Sequence, residues 1–393
     1  MRELRGLGHT SHRSDNDAQP VHPPLIRAAV PRLLYIDWLR GIAVVFMVLW
    51  HSIDAWTLQT DRDGWAFTVI IFAAGWAAPL FLLLAGVSVS LAAGARITRG
   101  LSRADASWAL QKRGWQVVLL AHVFRFQSFL LNPNGSWNSI LKPDILNILG
   151  LGLVASAFCW KRADSRRAAM PWLVGPAVLT LALTPLSREW WWPTLLPVRF
   201  EAYIRPVGNF GVFSIFPTVA YVFSGAYVGW LVWEHRSAEG WLHRRLAIAA
   251  VVLIAVGGSL SAVRALEVPS PIDSVPFFAW RTGAMILAFA ASWALVGTRS
   301  KDSWSPLVVF GQTSLFVYWI HVEIAYGIFT YPIHRSLPLS VSFPAYVVLM
   351  LCLLGVAVLW QRRGRGPLIP AHLRAASQAQ RARFNGQGSR VRA

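Results

Sequence analysis

Apolar stretches of about twenty residues, the length that crosses a hydrocarbon layer, recur along this chain of 393 residues and are separated by short charged segments. Against lipid every backbone N–H and C=O must be satisfied within its own segment, so each stretch is read as a helix. The apolar windows place helices at roughly 34–55, 67–93, 108–131, 143–160, 171–186, 213–233, 246–264, 276–297, 305–329 and 341–360. The expectation is an all-α, polytopic transmembrane helix bundle of about ten spans. Composition agrees: 55% of residues are hydrophobic and 14% charged, whereas soluble chains are about a quarter charged. A soluble globular domain is excluded, and no internal repeat stands out.

The chain is basic, with 37 Lys and Arg against 18 Asp and Glu. In a soluble protein this would point to nucleic acid. The placement of the charges says otherwise. With the N-terminus set in the cytoplasm, the inner segments (1–33, 94–115, 161–170, 234–245, 298–304 and 361–393) hold 27 Lys and Arg, and the outer ones (56–66, 131–142, 187–212, 264–275 and 330–340) hold 7. This positive-inside bias puts both termini in the cytoplasm. The implied partner is the lipid bilayer, and nucleic acid is not needed. Residues 1–33 are polar, carry Pro20, Pro23 and Pro24, and lack the apolar core of a cleavable leader; they read as a disordered tail. Residues 361–393 hold eight Arg and no acid and read as a second, basic tail. Residues 34–360 form the expected transmembrane domain. Usage of 33 Arg against 4 Lys resembles that of GC-rich bacteria, so a bacterial inner membrane is the expected location. A homo-oligomer is compatible with all of this.

Cys159 and Cys352 both fall in apolar runs and read as small core residues, not as a disulfide or a metal site. No phosphate-binding Gly-rich loop, zincin motif or Cys cluster occurs, which argues against a P-loop ATPase and most metal enzymes. No metal is expected. The longest outer loop contains Trp190, Trp191 and Trp192. An interfacial aromatic belt is the plainer reading, and a stacking platform for a sugar the sharper one.

Ionisable side chains inside hydrocarbon cost several kcal/mol, about 2.5–3.5 on the insertion scale, and are usually paired or functional. The set here is Asp37, Arg40, His51, His122, Arg125, Asp144, Arg281, His321 and Glu323. In the first helix, Arg40 and His51 are eleven residues apart. At about 100° per residue they lie within about 20° of one azimuth, separated by about 16 Å along the axis. Asp37, one turn before Arg40, can pair with it. The plain alternative is an interfacial Asp37–Arg40 anchor with an interfacial His51. Arg125, Asp144 and His321 fall at a depth similar to that of His51, on three further helices, which points to a polar cavity open to the outside. His122 reads as a hydrogen-bonded core residue, and Arg281 as paired or snorkelling. In the ninth window Gly311, Ser314, Tyr318 and His321 recur at helical spacing as a polar stripe.

Histidine is suited to move protons near neutral pH. With a carboxylate nearby it can deprotonate an amine or hydroxyl, or carry an acyl group itself. Arg40, on the same stripe at the cytoplasmic side, can hold an anionic group. A donor with phosphates inside, a long arm and a reactive end near His51 matches this spacing, and acetyl-CoA has that shape. The residues alone also allow a proton-coupled transporter or flippase for a small anion or lipid-linked sugar.

The stretches RLLYIDWLRGIAVVFMVLWH (32–51), APLFLLLAGVSVSLA (78–92), DILNILGLGL (144–153), FPTVAYVFSGAYVGW (216–230) and GQTSLFVYWIHVEIAYG (311–327) resemble, in order, the heparan-α-glucosaminide N-acetyltransferase-like family of transmembrane acyltransferases. That resemblance implies acetyl transfer from cytosolic acetyl-CoA, as co-substrate, to a sugar or glycan on the far side of the membrane. It implies an essential far-side histidine. His51 matches it by role and depth, since the loop after the first helix, where the lysosomal enzyme's active histidine lies, has no His here. Asp144 matches the acid that opens DILNILG. The first helix also resembles the related integral-membrane acyltransferase-3 type O-acyltransferases, whose signature of Arg, ten residues and His is met by Arg40 and His51. In the combined expectation Asp37 and Arg40 hold the donor, and His51 is base or acyl carrier. Asp144 orients His51, and Arg125 and His321 serve the acceptor or the developing oxyanion.

Overall fold

The computed structural model describes residues 32–131, 137–208, 210, 213–262, 274–297 and 304–364. The two expected tails lie outside them, apart from Arg32, Leu33 and 361–364. Each apolar window holds helix, and no strand occurs among the described residues. The helices are α1 (Leu34–Trp56), α2 (Trp65–Ala74), α3 (Ala77–Thr98), α4 (Arg103–Leu131), α5 (Ile145–Trp160), α6 (Arg166–Ala169), α7 (Gly175–Glu189), α8 (Val198–Ile204), α9 (Ile215–Glu234), α10 (Glu239–Ser261), α11 (Val275–Ser292), α12 (Pro306–Gln312), α13 (Ser314–Tyr326) and α14 (Leu339–Gly364). The protein is an all-α polytopic bundle. Seven helices are long and apolar enough to span a membrane, or eight with α12 and α13 taken as one bent span. The other two of the ten windows hold α5, which is apolar but only 16 residues long, and α4, which carries Arg103, Asp105, Lys112, Arg113 and Arg125.

Apolar side chains cover the outside as well as the core. Leu119, Val123, Phe126 and Leu130 of α4, Ile248, Val251, Val252 and Val256 of α10, and Val348, Leu351 and Leu359 of α14 are exposed. Such long apolar faces fit a lipid solvent. Hydropathy cannot tell a lipid-facing position from a core one, so the two cysteines part company. Cys159 is half-buried, but Cys352 is exposed on α14, which corrects the reading of both as core residues.

α1 and α9 are the most enclosed spans, with 61% and 67% of their apolar windows buried, so these two form the spine of the bundle. α9 packs on α3 backbone to backbone. A Cβ on Gly225 would stand 1.9 Å from the Leu83 carbonyl oxygen, and one on Gly86 1.9 Å from that of Val222. The small residues exist for this approach. Ser90 Oγ closes the seam by donating to the Ala226 carbonyl at 2.6 Å. α1 packs against α2, α3, α11, α12, α13 and α14.

Two of the expected continuous helices are broken. The second window divides at Gly75 and Trp76 into α2 and α3, and Arg281 of α11 caps the break by donating to the Gly75 carbonyl. Arg281 also lies over the rings of Trp76 and Phe277, 5.3 Å from each centroid. Its partners are thus a carbonyl, the Tyr221 hydroxyl and aromatic faces. The ninth window bends by 89° at Thr313, between α12 and α13. Gly311 permits this, because α12 lies against α1 so closely that a Cβ there would meet the Asp37 carbonyl oxygen at 1.8 Å.

At the far end of α1 the chain is clamped to the segment before α14. Arg335 N donates to the Ala55 carbonyl at 2.9 Å, Leu337 N to Trp56 at 3.0 Å, and Leu58 N to Leu337 at 2.8 Å. Asp61 accepts from Leu339 N, at the start of α14, at 2.7 Å.

Candidate active site

Two polar centres lie at opposite ends of α1, and α13 reaches both. The first surrounds Arg40. Its guanidinium donates to Asp37 Oδ1 at 3.0 Å and to Ser88 Oγ of α3 at 3.0 Å. Asp37 is 3% exposed and also pairs with Arg32 at 2.6 Å. Two guanidinium groups on one carboxylate leave a net positive centre. Arg40 opens onto a cleft of about 480 Å³ at the α12–α13 bend, lined also by Gln312, Thr313, Ser314, Phe316, Trp319 and Trp360. Phe316 and Trp360 stack there with ring centroids 4.3 Å apart. The bend turns the N-terminal end of α13, with its unpaired N–H groups, to the same cleft. A basic fork, a helix N-terminus and flat aromatic faces suit an anion joined to a planar ring.

The second centre surrounds His51. Its ring centroid is 5.3 Å from that of His321 on α13. His51 Nδ1 is 3.2 Å from the Tyr326 hydroxyl, and that hydroxyl donates to Asp54 Oδ2 at 3.0 Å. Asp54 is held by Arg62, at 3.1 Å through its side chain and through its own carbonyl. His321 is fully buried. Its Nδ1 lies 2.9 Å from the Val317 carbonyl, which can only accept, so the neutral ring carries its proton there and a lone pair on Nε2. Nε2 is buried without a hydrogen-bond partner. In this tautomer His321 accepts and cannot donate to an oxyanion.

A third group adjoins the pair. Asp144 is the N-cap of α5, and its Oδ1 accepts from Ile145 N at 2.6 Å. Its Oδ2 takes the Arg125 guanidinium at 3.3 Å and the Tyr318 hydroxyl at 2.9 Å. Tyr318 meets His321 edge-on at 5.8 Å, and the charge of Arg125 is felt at His51. Asp144, expected to orient His51, therefore spends its carboxylate on a helix cap, an arginine and a tyrosine. The carboxylate that reaches His51 is that of Asp54, through Tyr326. Arg125 keeps its Nε buried and without a hydrogen-bond partner. His122 is half-buried and hydrogen-bonded, with Nδ1 2.8 Å from the Val118 carbonyl and 3.3 Å from Asn147 Nδ2. Glu323 lies on α13 with Oε1 buried and unpartnered.

Above this centre, Lys142 and Tyr203 of the outer loops feel the charges of both Arg125 and Asp144. Burial lowers the Lys142 ammonium from its ordinary value, with Arg125 adding to the effect and Asp144 opposing it. Burial raises the Tyr203 phenol, with Arg125 opposing. Trp191 and Trp192 of the neighbouring loop are exposed, while Trp190 packs on Phe216 at 5.9 Å.

Sequence reasoning missed Asp54 and Tyr326. Asp54 carried a signal, since it follows His51 by three residues just as Asp37 precedes Arg40 by three. Tyr326 carried none beyond its place on α13, past the polar stripe.

Among known protein families, residues 33–360 match the acyltransferase-3 family, described as an acyltransferase domain, and this span covers most of the chain. No curated protein matches. The chain belongs to that family and is a membrane acyltransferase.

Proposed function

We propose that this acyltransferase-3 family protein moves an acetyl group from cytosolic acetyl-CoA to an amino or hydroxyl group of a sugar or glycan outside the cytoplasm. One observation carries the reading: a basic cleft at Arg40 and a histidine pair at His51 are built from the same two helices, α1 and α13. Along α1 the separation is about 16 Å, a span that a nucleotide-anchored thioester on a flexible arm can bridge. The positive-inside bias sets the Arg40 end in the cytoplasm and the His51 end outside.

In this mechanism the donor's phosphates lie against Arg40 and the N-terminal end of α13, and its ring system against Phe316 and Trp360. Asp37 holds Arg40 in place. The acceptor enters past Lys142 and Tyr203. His51 takes the proton from the acceptor O–H or N–H as that atom attacks the thioester carbonyl. The tetrahedral intermediate gathers negative charge on oxygen, which Arg125 is placed to stabilise. Collapse expels the CoA thiolate, and the proton held by His51 passes to its sulfur. Retention of label on the protein would instead mark His51 as an acyl carrier. His321, a neutral acceptor, serves the base and not the oxyanion.

The test is CoA release from labelled acetyl-CoA by purified protein in detergent, wild type against His51→Ala, with a series of glucosamine and other sugar acceptors. Wild-type release that the variant loses supports the reading. Wild-type protein that neither binds nor consumes acetyl-CoA overturns the donor assignment. The bent pair α12–α13 is a feature that transporters also use, so flux of small anions across proteoliposomes is the parallel measurement.

A further inference from the structure

Asp54 and Tyr326 lie beyond the residues that the transfer mechanism uses, yet they form one hydrogen-bonded line into His51. The direction of every proton in that line is fixed by chemistry. Asp54 lies against Arg62, and an ionised carboxylate only accepts. The single Tyr326 proton therefore goes to Asp54 Oδ2, 3.0 Å away. The hydroxyl is left with lone pairs toward His51 Nδ1, 3.2 Å away. That contact forms a hydrogen bond only if Nδ1 carries the proton, which leaves the lone pair on Nε2. We propose that Asp54, acting through Tyr326, is a positioning residue that locks His51 in the Nε2-basic tautomer and stabilises its imidazolium; this rests on His51 acting as the base.

The surroundings support a dedicated arrangement. The last turn of α1, which carries Asp54, is stitched to the segment 335–337 by two backbone hydrogen bonds, and Leu58 just beyond it adds a third. Tyr326 closes α13, the helix that also brings His321. His321, its ring centroid 5.3 Å from that of His51, adds an unpartnered Nε2 lone pair to the same centre. The titratable and charged groups around His51 are Asp54 on α1, Arg62 on the following loop, His321, Tyr318 and Tyr326 on α13, Arg125 from α4 with Asp144 at the start of α5, Arg335 beyond Tyr326, and Tyr346 on α14. Asp54 is the carboxylate of this set linked to His51 through a single hydroxyl.

The experiment measures kcat, donor KM and the pH profile of Tyr326→Phe and Asp54→Asn beside wild type and His51→Ala. Misplacing a catalytic group by about 1 Å can cost about 100-fold in rate, so kcat should fall by about 10–100-fold in both variants. Donor KM should stay unchanged, because the Arg40 cleft is untouched. Loss of the Asp54 charge removes a stabiliser of the imidazolium, so the acid limb of kcat should move to lower pH by about one unit. Tyr326→Phe leaves the Asp54–Arg62 pair intact and keeps the test sound if Asp54→Asn folds poorly. A merely structural role would lower thermal stability and leave the acid limb in place, which would overturn the proposal while His51→Ala still tested the transfer reading. Nitrogen-15 NMR of histidine-labelled protein, with His51 assigned by its loss in His51→Gln, reads the tautomer without turnover. A proton on Nδ1 in wild type and a mixture in Tyr326→Phe are expected. A wild-type proton on Nε2 would refute the proposal whether or not any donor is consumed.

Discussion

Gly311→Ala probes how the Arg40 cleft is held. The Cβ added there would stand 1.8 Å from the Asp37 carbonyl oxygen, where ordinary contact begins at 3.4 Å. α12 and α1 must therefore separate by about 1.6 Å, the difference of those two values. Both sides of the clash are helix backbone, so no side chain can swing aside to absorb it. Forcing extra volume into a packed interior costs about 1–3 kcal/mol. Asp37 is the residue that grips Arg40, and Gln312 beside Gly311 lines the cleft. A misplacement of about 1 Å in a positioning group can cost about 100-fold in rate. The expected result is a lower unfolding temperature in detergent and a fall of about 100-fold in kcat/KM for acetyl-CoA, expressed mainly in KM. Gly355→Ala on α14 is the control, because nothing lies within 4 Å of its added Cβ, and the exchange should be neutral or slightly stabilising. A Gly311→Ala protein with the wild-type unfolding temperature and donor KM would refute the claim that this contact sets the cleft.

Further outcomes follow from the same geometry. Arg125→Met leaves the Asp144 side chain with only the α5 cap and Tyr318, and breaking this part-buried pair should destabilise the protein by about 3–5 kcal/mol in thermal unfolding. Adding Asp144→Asn should restore part of that loss. Arg40→Lys cannot span Asp37 and Ser88 as the guanidinium does, and one charged hydrogen bond is worth about 1.5–3 kcal/mol. Donor KM should rise at least about tenfold, measured with acetyl-CoA as the varied substrate. For orientation, Ser165→Cys and Thr194→Cys in a background with Cys159 and Cys352 replaced by Ser should differ toward an impermeant maleimide. In intact cells only the second should label.

Much of the fold was legible because a run of apolar residues long enough to cross lipid leaves the backbone few options. Each of the ten windows holds helix. What hydropathy could not supply was direction around the helix axis: lipid and core are both apolar, so Cys352 read as buried and is not. The 89° bend at Thr313 was hidden because Gly311, Gln312, Thr313 and Ser314 are each compatible with a helix and only their succession hints at a break. At the site, contacts within one helix were readable from spacing, as with Asp37 and Arg40. Contacts between helices were not, since a 3.6-residue period tells which residues share a face and not which helix that face meets. Depth alone grouped His51, His321, Arg125 and Asp144. It could not show that Asp144 answers to Arg125 and Tyr318, while His51 answers to Tyr326.

The helix that joins the two centres is also a ruler marked in whole turns. Residues that share a face of a helix recur at seven, eleven, and fourteen or fifteen positions, or about 10, 16 and 22 Å. The reach from Arg40 to His51 can therefore change only in steps of roughly one turn or more. One residue inserted between them would lengthen the span by about 1.5 Å, a trivial amount, but would swing His51 through about 100°. That swing carries the ring away from His321 and Tyr326. The spacing of Arg40 and His51 is thus set by integers: about three turns of α1 part them, and intermediate lengths have no helix to measure them.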